Sequence, residues 1–283
     1  MLYAHTLSPY AAEQLSSNQL GRVHSVFRSG INLALSGALI HVGTDAKLMS
    51  CTGMCVDAQT LDALLAVVTP GVLIRVRAGL LACYTTDGVV ELDSRSAQLM
   101  DCSLANMLEL SDMLWAIDYL RVTEQFGWHT ILKHAGLAMT DEVSGHLLSL
   151  CSEQGVGSKT IAYLVGRGPG LTPSGDDILL GYAASLLMCG ADYQLALTLA
   201  EAASGRTTHV SQSYFDALAR GWVHPVFGDL ERAIAEHSEP HMQAALGAIT
   251  RIGHSSGWDG LLGLYAGFLH AVAHEQCVAF QVV

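Results

Sequence analysis

The order of apolar and polar positions divides the chain into a β-rich first part and a helical remainder. Short apolar runs fill the stretch from residue 20 to about residue 95. Turns are predicted between them at Ser29-Gly30, Ser36-Gly37, Ala78-Gly79 and Asp87-Gly88, and the Asp-Gly pair is a strong hairpin signal. A helix capped by Asp57 is predicted between two groups of strands, and residues 1 to 20 are interpreted as a short helix or arm. The predicted strands are Val23 to Arg28, Ile31 to Leu35, Ala38 to Val42, Val72 to Arg77, Leu80 to Thr85 and Val89 to Leu92. We therefore predict a small, mostly antiparallel β-domain over residues 1-100.

From Ser103 onward the apolar residues recur at helical spacing, and no further strand pattern occurs. The predicted helices are Ala105 to Glu124, His129 to Ala138, Asp141 to Glu153, Lys159 to Val165, Gly175 to Cys189, Asp192 to Ala203, Thr208 to Arg220, Phe227 to His237, Met242 to Ile252 and Gly257 to His274. The predicted fold class is α+β, with a larger all-helical domain over residues 101-283.

The chain has 283 residues, of which 51% are hydrophobic and 14% are charged, and its mean hydropathy is +0.35. This is more apolar surface than a typical lone soluble domain hides, so we expect an extensive core or burial against partner subunits. The formal net charge of -12 comes with no cluster of Lys and Arg, which argues against a nucleic acid or an anionic membrane as partner.

Several features favour a cytoplasmic protein. The N-terminus lacks the basic and apolar segments of a signal peptide, and the longest apolar helical runs are shorter than the ~20 residues that span a bilayer. The seven cysteines are odd in number and irregularly spaced, which is typical of reduced thiols. Neither they nor the histidines show the spacing of a metal site, so no zinc centre is predicted.

One glycine-rich stretch organises the helical part. Residues 166 to 177 read GRGPGLTPSGDD and lead directly into an apolar run, so an irregular loop is predicted to end at a helix start. Such a loop presents backbone N–H groups and the positive end of a helix dipole, which favour a phosphate or carboxylate. Residues 256 to 263 repeat the pattern S-G-x-D-x-L-L-G found at 174 to 181, so two helix starts are predicted to form two walls of one site. Simple helix capping by Ser-x-x-Asp is the alternative for each copy.

A third polar segment, from Arg206 to Ser211, also precedes a helix. Thr207 and Ser211 are four residues apart and share a helical face, while Thr208 is predicted as the cap. Hydroxyl groups of this kind suit a bound carboxylate or phosphate, and ordinary capping again is the alternative. The predicted substrate- and anion-binding residues are Arg167, Gly168, Gly170, Thr172, Ser174, Thr207, Thr208, Ser211 and Ser256.

Four residues are predicted to carry chemistry: Asp176, Asp177, Asp259 and His254. The three carboxylates suit either of two roles, acceptance of N–H groups from a substrate amide or binding of a divalent cation, and the sequence does not separate them. His254 is predicted as an acid or hydrogen-bond donor, against the alternative of a structural histidine. Because neither a phosphate-binding P-loop nor a dinucleotide fingerprint is present, no organic cofactor is predicted.

Together the motifs GRGPGLTPSGDD at 166 to 177, T-T-x-V-S at 207 to 211 and GHSSGWD-x-LLG at 253 to 263 resemble the AllH-type family of bacterial allantoin and purine catabolism. Members of that family are associated with an oxamate carbamoyltransferase that contains two other kinds of subunit. The positions that match the family pattern are Gly168, Gly170, Thr172, Asp176, Asp177, Thr207, Thr208, Ser211, His254, Ser256 and Asp259.

The resemblance implies an enzyme subunit that acts in the phosphorolysis of oxalurate to oxamate and carbamoyl phosphate, or in the reverse reaction. Its partners would be the small carbamoyl or carboxylate substrate and the other subunits. The S-T-R-T phosphate loop of aspartate and ornithine transcarbamylases is absent, so the chain would use another architecture or supply part of the site. Two alternatives stay open: a non-catalytic subunit for small-anion binding or assembly, and a carboxylase-related protein, because some relatives carry that label.

Overall fold

The computed structural model describes residues 1-44, 49-106, 108-152, 154-191 and 193-281, with side chains described up to residue 275. It divides the chain into two compact units, one of residues 1-103 with 222-225 and one of residues 104-221 with 226-283. The predicted helix limits Glu153 and Asp192 lie outside the described residues. No helix in the described part of the chain combines the length and the apolar character needed to cross a membrane.

The described residues of the first unit form nine strands and two short helices. In chain order they are β1 (Leu2–Leu7), α1 (Pro9–Ser16), β2 (Gln19–Phe27), β3 (Gly30–Leu35), β4 (Ala38–Gly43), β5 (Gly53–Val56), α2 (Ala58–Leu65), β6 (Leu73–Arg77), β7 (Leu80–Thr85), β8 (Gly88–Asp93) and β9 (Gln98–Leu99). Side chains from most of these strands form one apolar core, which includes Leu33, Ile40, Val56, Ile74 and Leu81.

The sheet of this unit closes on itself. The strands pair in the order β5-β4-β3-β2-β6-β7-β8-β1, and β1 also pairs with β5, so eight strands form a barrel to which β9 adds along β1. At the closure, β1 runs antiparallel to β5, with Ala4 opposite Val56, and parallel to β8, with Leu2 opposite Leu92. Strands β4 and β5 are also parallel.

The prediction of a small, mostly antiparallel β-domain is therefore wrong, although the broad class α+β holds. The segment interpreted as a helix or arm contains β1, the strand that joins the two ends of the sheet. Its partners lie far along the chain, so no local pattern indicates that it completes a barrel. Closure leaves no open edge among the eight strands, and an open edge is a template for aggregation.

Two of the four predicted turns and the predicted cap in this unit are confirmed, whereas Gly30 and Gly88, which were predicted in turns, are the first residues of β3 and β8. The turns at Ser36-Gly37 and Ala78-Gly79 place both residues in the left-handed region, with φ of 32° and 93° in the first and 44° and 85° in the second. Such turns match the twist of a two-residue hairpin. Asp57 caps α2 by accepting the N–H of Thr60 at 2.6 Å.

The second unit is helical. Its elements are α3 (Leu110–Val122), α4 (Trp128–His134), α5 (Asp141–Leu150), α6 (Ser158–Leu164), α7 (Ser174–Met188), α8 (Gln194–Ala203), α9 (His209–Leu218), α10 (Pro225–Ala235), α11 (Glu239–Ile249) and α12 (Ser256–Gln281), with Pro225 grouped in the first unit. Glu231 of α10 is 2% exposed, and its two carboxylate oxygens accept the N–H groups of Ala105 and Asn106 at 2.6 and 2.8 Å. This buried carboxylate fixes the chain that leads into α3.

Helices α7 and α12 form the most extensive helix contact in this unit. Gly181 meets the backbone of Gly260, Gly263 meets Ile178, and Gly267 lies farther along, against Tyr182 and Ser185 of α7. Contacts advance along both helices together, so the two helices run in the same general direction. Their N-termini, with the positive ends of both dipoles, therefore lie at the same end of the pair.

The contacts between α7 and α12 are reciprocal, as expected for two copies of one motif. Gly181 and Gly263 occupy equivalent positions in the repeated sequence, as do Ile178 and Gly260. Gly181 of the first copy contacts Gly260 of the second, and Gly263 of the second copy contacts Ile178 of the first. The same motif position therefore makes the same contact in both directions. The repeat in the sequence thus corresponds to a local pseudo-two-fold packing.

The connection before each helix repeats as well. After α6, the N–H of Arg167 donates to Leu164 O at 2.9 Å and the N–H of Gly175 donates to Arg167 O at 2.8 Å. After α11, the N–H of Ile252 donates to Ile249 O at 2.9 Å, and the N–H of Gly257 donates to Ile252 O at 3.0 Å. The same hydrogen-bond scheme therefore positions both helix starts.

Candidate functional site

The helix starts differ from the predicted capping boxes. Ser174 is the first residue of α7, and Pro173 occupies the N-cap position without a side-chain hydrogen bond. The N–H groups of Asp176 and Asp177 donate to Pro173 O at 2.9 and 3.2 Å. Ser256 is likewise the first residue of α12. Because Ser and Asp do not cap within their own copy, their side chains are available for other contacts.

Those side chains pair across the two copies. The hydroxyl of Ser256 hydrogen-bonds to Asp177, and the hydroxyl of Ser174 interacts with Asp259. Thr172 Oγ1 lies 2.8 Å from Ser256 Oγ. Each aspartate therefore faces the serine of the other helix, and the starts of α7 and α12 form one polar cluster.

Asp177 and Asp259 form a buried acidic pair at the centre of this cluster. Asp177 is 8% exposed and Asp259 is fully buried. Within the described residues, Oδ2 of each carboxylate is buried without a hydrogen-bond partner, and no basic side chain forms an ion pair with either. Buried ionised carboxylates are costly unless a proton or a cation neutralises them.

The electrostatics of the pair follow from this burial. Burial raises the pKa of Asp177 well above its usual range, the hydroxyls of Ser256 and Thr172 counteract part of the rise, and the charges of Asp259 and Asp176 add to it. Burial also raises the pKa of Asp259, while the hydrogen bond from the N–H of Gly136 acts in the opposite direction. Carboxyl groups with such pKa values hold a proton more readily than an exposed aspartate does.

Two residues of the cluster, Gly136 and Ser255, were not predicted, and the hydroxyl of Ser255 hydrogen-bonds to Asp259. The N–H of Gly136, just beyond α4, donates to Asp259 Oδ1 at 2.8 Å. A Cβ at Gly136 would lie 2.6 Å from Ser255 Oγ and 3.0 Å from Asp259 Oδ2, so a larger residue does not fit without a shift. In the sequence, Gly136 was only a glycine inside the predicted helix from His129 to Ala138. Nothing in that local pattern indicates a contact with Asp259, which lies far along the chain.

Asp176 belongs to a different set of contacts. It is fully buried, its Oδ1 accepts the N–H of Gly166 at 2.7 Å, and its Oδ2 accepts the hydroxyl of Thr207. Burial raises its pKa, and hydrogen bonds from Gly166, Thr207 and Ser211 lower it. With both oxygens engaged, Asp176 ties the glycine-rich loop to α7 and to the start of α9.

The remaining predicted anion-binding side chains face other partners. Thr208 is the N-cap of α9, as predicted, accepting the N–H of Ser211 at 3.1 Å, and its hydroxyl also donates to Leu171 O. The guanidinium of Arg167 lies 3.6 Å from the centre of the Tyr163 ring, and its Nε donates to Tyr163 O at 2.9 Å. The structure thus places this arginine against the end of α6.

The loop glycines and His254 are exposed. Gly168 and Gly170 have φ of 121° and 96°, which favour glycine, and a Cβ at Gly168 would lie 2.8 Å from the backbone N of Ser174. His254 lies in the connection between α11 and α12 and makes no hydrogen bond or ion pair within the described residues. Gly175, Asp176 and Asp177 use their N–H groups inside the protein, so backbone donors for an anion would come from the exposed loop.

The fold and the site together define a chain with a β-barrel unit and a helical unit, whose helical unit holds a buried acidic pair between two parallel helix starts. Residues 164–268 match the family model described as oxamate carbamoyltransferase subunit AllH. This segment contains all three motifs, and over this part of the chain the match confirms the resemblance to the AllH-type family that they indicate. The family description relates the chain to a subunit of oxamate carbamoyltransferase. Comparisons with curated proteins and with solved structures found no match.

Proposed function

We propose that this chain is a subunit of an oxamate carbamoyltransferase-like enzyme and binds its small carbamoyl substrate at the starts of α7 and α12. The observation that carries the proposal is the acidic pair Asp177 and Asp259, which lies within the family-matched segment and has two carboxylate oxygens without a partner among the described residues. Sites of chemistry commonly hold buried groups with shifted pKa values, whereas purely structural carboxylates are usually satisfied.

The substrate offers groups that suit this cluster. Oxalurate carries ureido N–H donors at one end and a carboxylate at the other. The unpartnered oxygens of Asp177 and Asp259 would accept the N–H donors. Gly168 and Gly170 are exposed, and their N–H groups would bind the substrate carboxylate or the phosphate, because backbone amides of glycine-rich loops form anion sites.

The reaction needs proton transfer at nitrogen. In phosphorolysis, a phosphate oxygen attacks the ureido carbon, the tetrahedral intermediate carries an oxyanion, and the bond from carbon to the leaving nitrogen breaks. That nitrogen takes up a proton to give oxamate, and the carbon remains in carbamoyl phosphate. In the reverse direction the oxamate nitrogen loses a proton as it attacks. A carboxyl group with a raised pKa suits both steps, and Asp177, the more exposed of the pair, is the proposed group.

The chain would work with other subunits. The family description names a subunit. Because the sequence lacks an S-T-R-T loop, the chain would bind phosphate with another architecture or would share the phosphate site with another chain. The six cysteines whose side chains are described are free thiols, which supports our proposal that the enzyme acts in the reducing cytoplasm.

The proposal is tested by assaying carbamoyl phosphate formation from oxalurate and phosphate with the chain and its presumed partner subunits. We expect Asp177→Asn to lower kcat by roughly 10²-fold or more, the usual contribution of acid–base catalysis. The matched control is Asp141→Asn, an exposed aspartate in the first turn of α5, which should leave the rate unchanged. Full activity of the double variant Asp177→Asn with Asp259→Asn would remove the pair from the mechanism.

A non-catalytic binding or assembly subunit is the second candidate. It is favoured by the burial of Ser174, Asp176 and Asp259, which are 2%, 0% and 0% exposed, and by the internal use of the first-turn N–H groups. Calorimetry with oxamate, oxalurate and carbamoyl phosphate separates the two candidates. Ligand binding by the chain, combined with undiminished turnover of the assembly that carries Asp177→Asn, would favour this second function.

A further inference from the structure

We infer that Asp177 and Asp259 are ligands of a hard divalent cation bound between the starts of α7 and α12. The two carboxylates come from equivalent positions of the repeated motif, on parallel helices that pack with their N-termini at the same end. Each contributes a buried oxygen, Oδ2, that has no hydrogen-bond partner within the described residues. Two unsatisfied oxygens from two helices in one cluster are what a bound cation would use.

The charges around the pair favour a bound cation over a purely structural role of the two carboxylates. The charge of Asp259 adds to the rise in the pKa of Asp177, and no Lys, Arg or His of the described chain forms an ion pair with either carboxylate. The nearby Arg167 is held against Tyr163. Buried charges in proteins are paired or coordinate metals, so this pair lacks the partner that its burial requires.

Asp176 shows by contrast what a satisfied carboxylate looks like in the same helix turn. Its two oxygens accept the N–H of Gly166 and the hydroxyl of Thr207, and it is absent from the set of unpartnered buried atoms. The lack of partners is therefore specific to Asp177 and Asp259 and is not a general property of this part of the fold. We exclude Asp176 from the ligand set for this reason.

The type of cation follows from the ligand atoms. The groups next to the pair include the hydroxyls of Thr172, Ser174, Ser255 and Ser256, so the available ligand atoms are oxygens. Within the described residues, no group of three or more His, Cys, Asp or Glu side chains is placed to hold a metal, which argues against a closed zinc-type centre. One or two carboxylates with remaining positions for water or a substrate oxygen are typical of Mg²⁺, and Mn²⁺ accepts the same ligands.

The inference stands on the geometry of the pair, and its catalytic consequence alone rests on the proposed function. A divalent cation there would neutralise the pair and would offer a free coordination position to an oxygen of the carbamoyl group or of phosphate. With the cation bound, Asp177 and Asp259 would be ionised ligands, and the hydroxyls would orient them. A water on the cation would then take the acid–base role that the proposed function gives to Asp177, so these two roles of Asp177 are alternatives.

The test uses the purified full chain after treatment with a chelator. Titration with MnCl₂, followed by calorimetry and by the manganese signal in electron paramagnetic resonance, should show saturable binding. Asp177→Asn and Asp259→Asn should each weaken Mn²⁺ binding by at least about tenfold, as expected when one of two carboxylate ligands is lost. The control Asp141→Asn, at the exposed start of α5, should bind as the wild-type chain does.

The unfolding temperature gives a second test. A purely structural pair would not make this temperature depend specifically on divalent cations. In chelator, both Asn variants should unfold at a higher temperature than the wild-type chain because one of two repelling charges is gone. Addition of MnCl₂ or MgCl₂ should reverse this order by stabilising the wild-type chain, whereas NaCl of equal ionic strength should not. Absence of divalent-specific binding and stabilisation in the wild-type chain would overturn the inference and leave a shared proton as the neutralising group.

Both measurements are made on the chain alone, so they are independent of the carbamoyl transfer assay. Mn²⁺ binding without carbamoyl transfer by the assembly would leave the cation site in place and remove the proposed reaction. Carbamoyl transfer that persists in chelator, together with no binding of Mn²⁺, would remove the cation site and leave the proposed reaction in place.

Discussion

The close packing of α7 on α12 makes a quantitative prediction for Gly263→Ala. A Cβ at this position would lie 2.7 Å from the carbonyl carbon of Ile178 and 2.8 Å from the backbone N of Tyr182, whereas ordinary contacts begin at 3.4 Å. Ile178 O is the nearest atom and lies closer still, so the helix must move by more than 0.7 Å (3.4 minus 2.7), and the atoms in the way are backbone, which cannot rotate aside. A gap of this size forfeits a quarter or more of the dispersion energy of the neighbouring contacts.

The expected cost combines two opposing terms. Overpacking a well-packed contact costs about 3 kcal/mol at the upper end of its usual range. Replacing glycine by alanine inside a helix returns about 1 kcal/mol of helix propensity. We expect a net loss of about 2 kcal/mol, which lowers the unfolding midpoint by about 4–8 °C for a unit of this size.

A control variant lies one turn away in the same helix. A Cβ at Gly260 would have Phe227 Cζ at 3.7 Å and Asp177 O at 4.0 Å as its nearest neighbours, both ordinary contacts. Gly260→Ala should therefore gain the helix propensity without the overpacking, and should raise the midpoint by about 2–4 °C. The assay is thermal unfolding followed by far-UV circular dichroism. If Gly263→Ala unfolded at or above the temperature of Gly260→Ala, the close parallel packing of these helices would be refuted.

Two further predictions concern the buried carboxylates that are satisfied. Asp176→Ala should lower the free energy of unfolding by about 1–3 kcal/mol because it leaves the N–H of Gly166 unpaired. Asp176→Asn should retain most of the stability, since the amide can accept from Gly166 and donate to the hydroxyl of Thr207. Chemical denaturation of both variants checks this, and equal losses would contradict it. Glu231→Gln should cost about 1–3 kcal/mol although it is nearly isosteric, because Glu231 accepts two backbone N–H groups with its two oxygens and an amide has one. A Glu231→Gln variant as stable as the wild-type chain in the same measurement would show that these two bonds contribute little.

Local features of the fold were predictable because they depend on neighbouring residues. The hairpin turns at Ser36-Gly37 and Ala78-Gly79 follow from their glycines, which tolerate positive φ, and the cap of α2 follows from Asp57. Helical spacing located the elements of the second unit. The closure of the barrel was not predictable in this way, because β1 must find β5 and β8 from distant parts of the chain.

For the candidate site, the sequence by itself determined the repeated motif, the polar residues that it carries and the family they indicate, because these depend on residue types at short spacing. The tertiary structure decided which of them meet. Ser174 and Ser256 look like caps of their own helices, but parallel packing through Gly181 and Gly263 turns each toward the aspartate of the other. Adjacent aspartates 176 and 177 were equivalent in the sequence, yet helix geometry points them in different directions, so the first is satisfied by its neighbours and the second is left in the acidic pair.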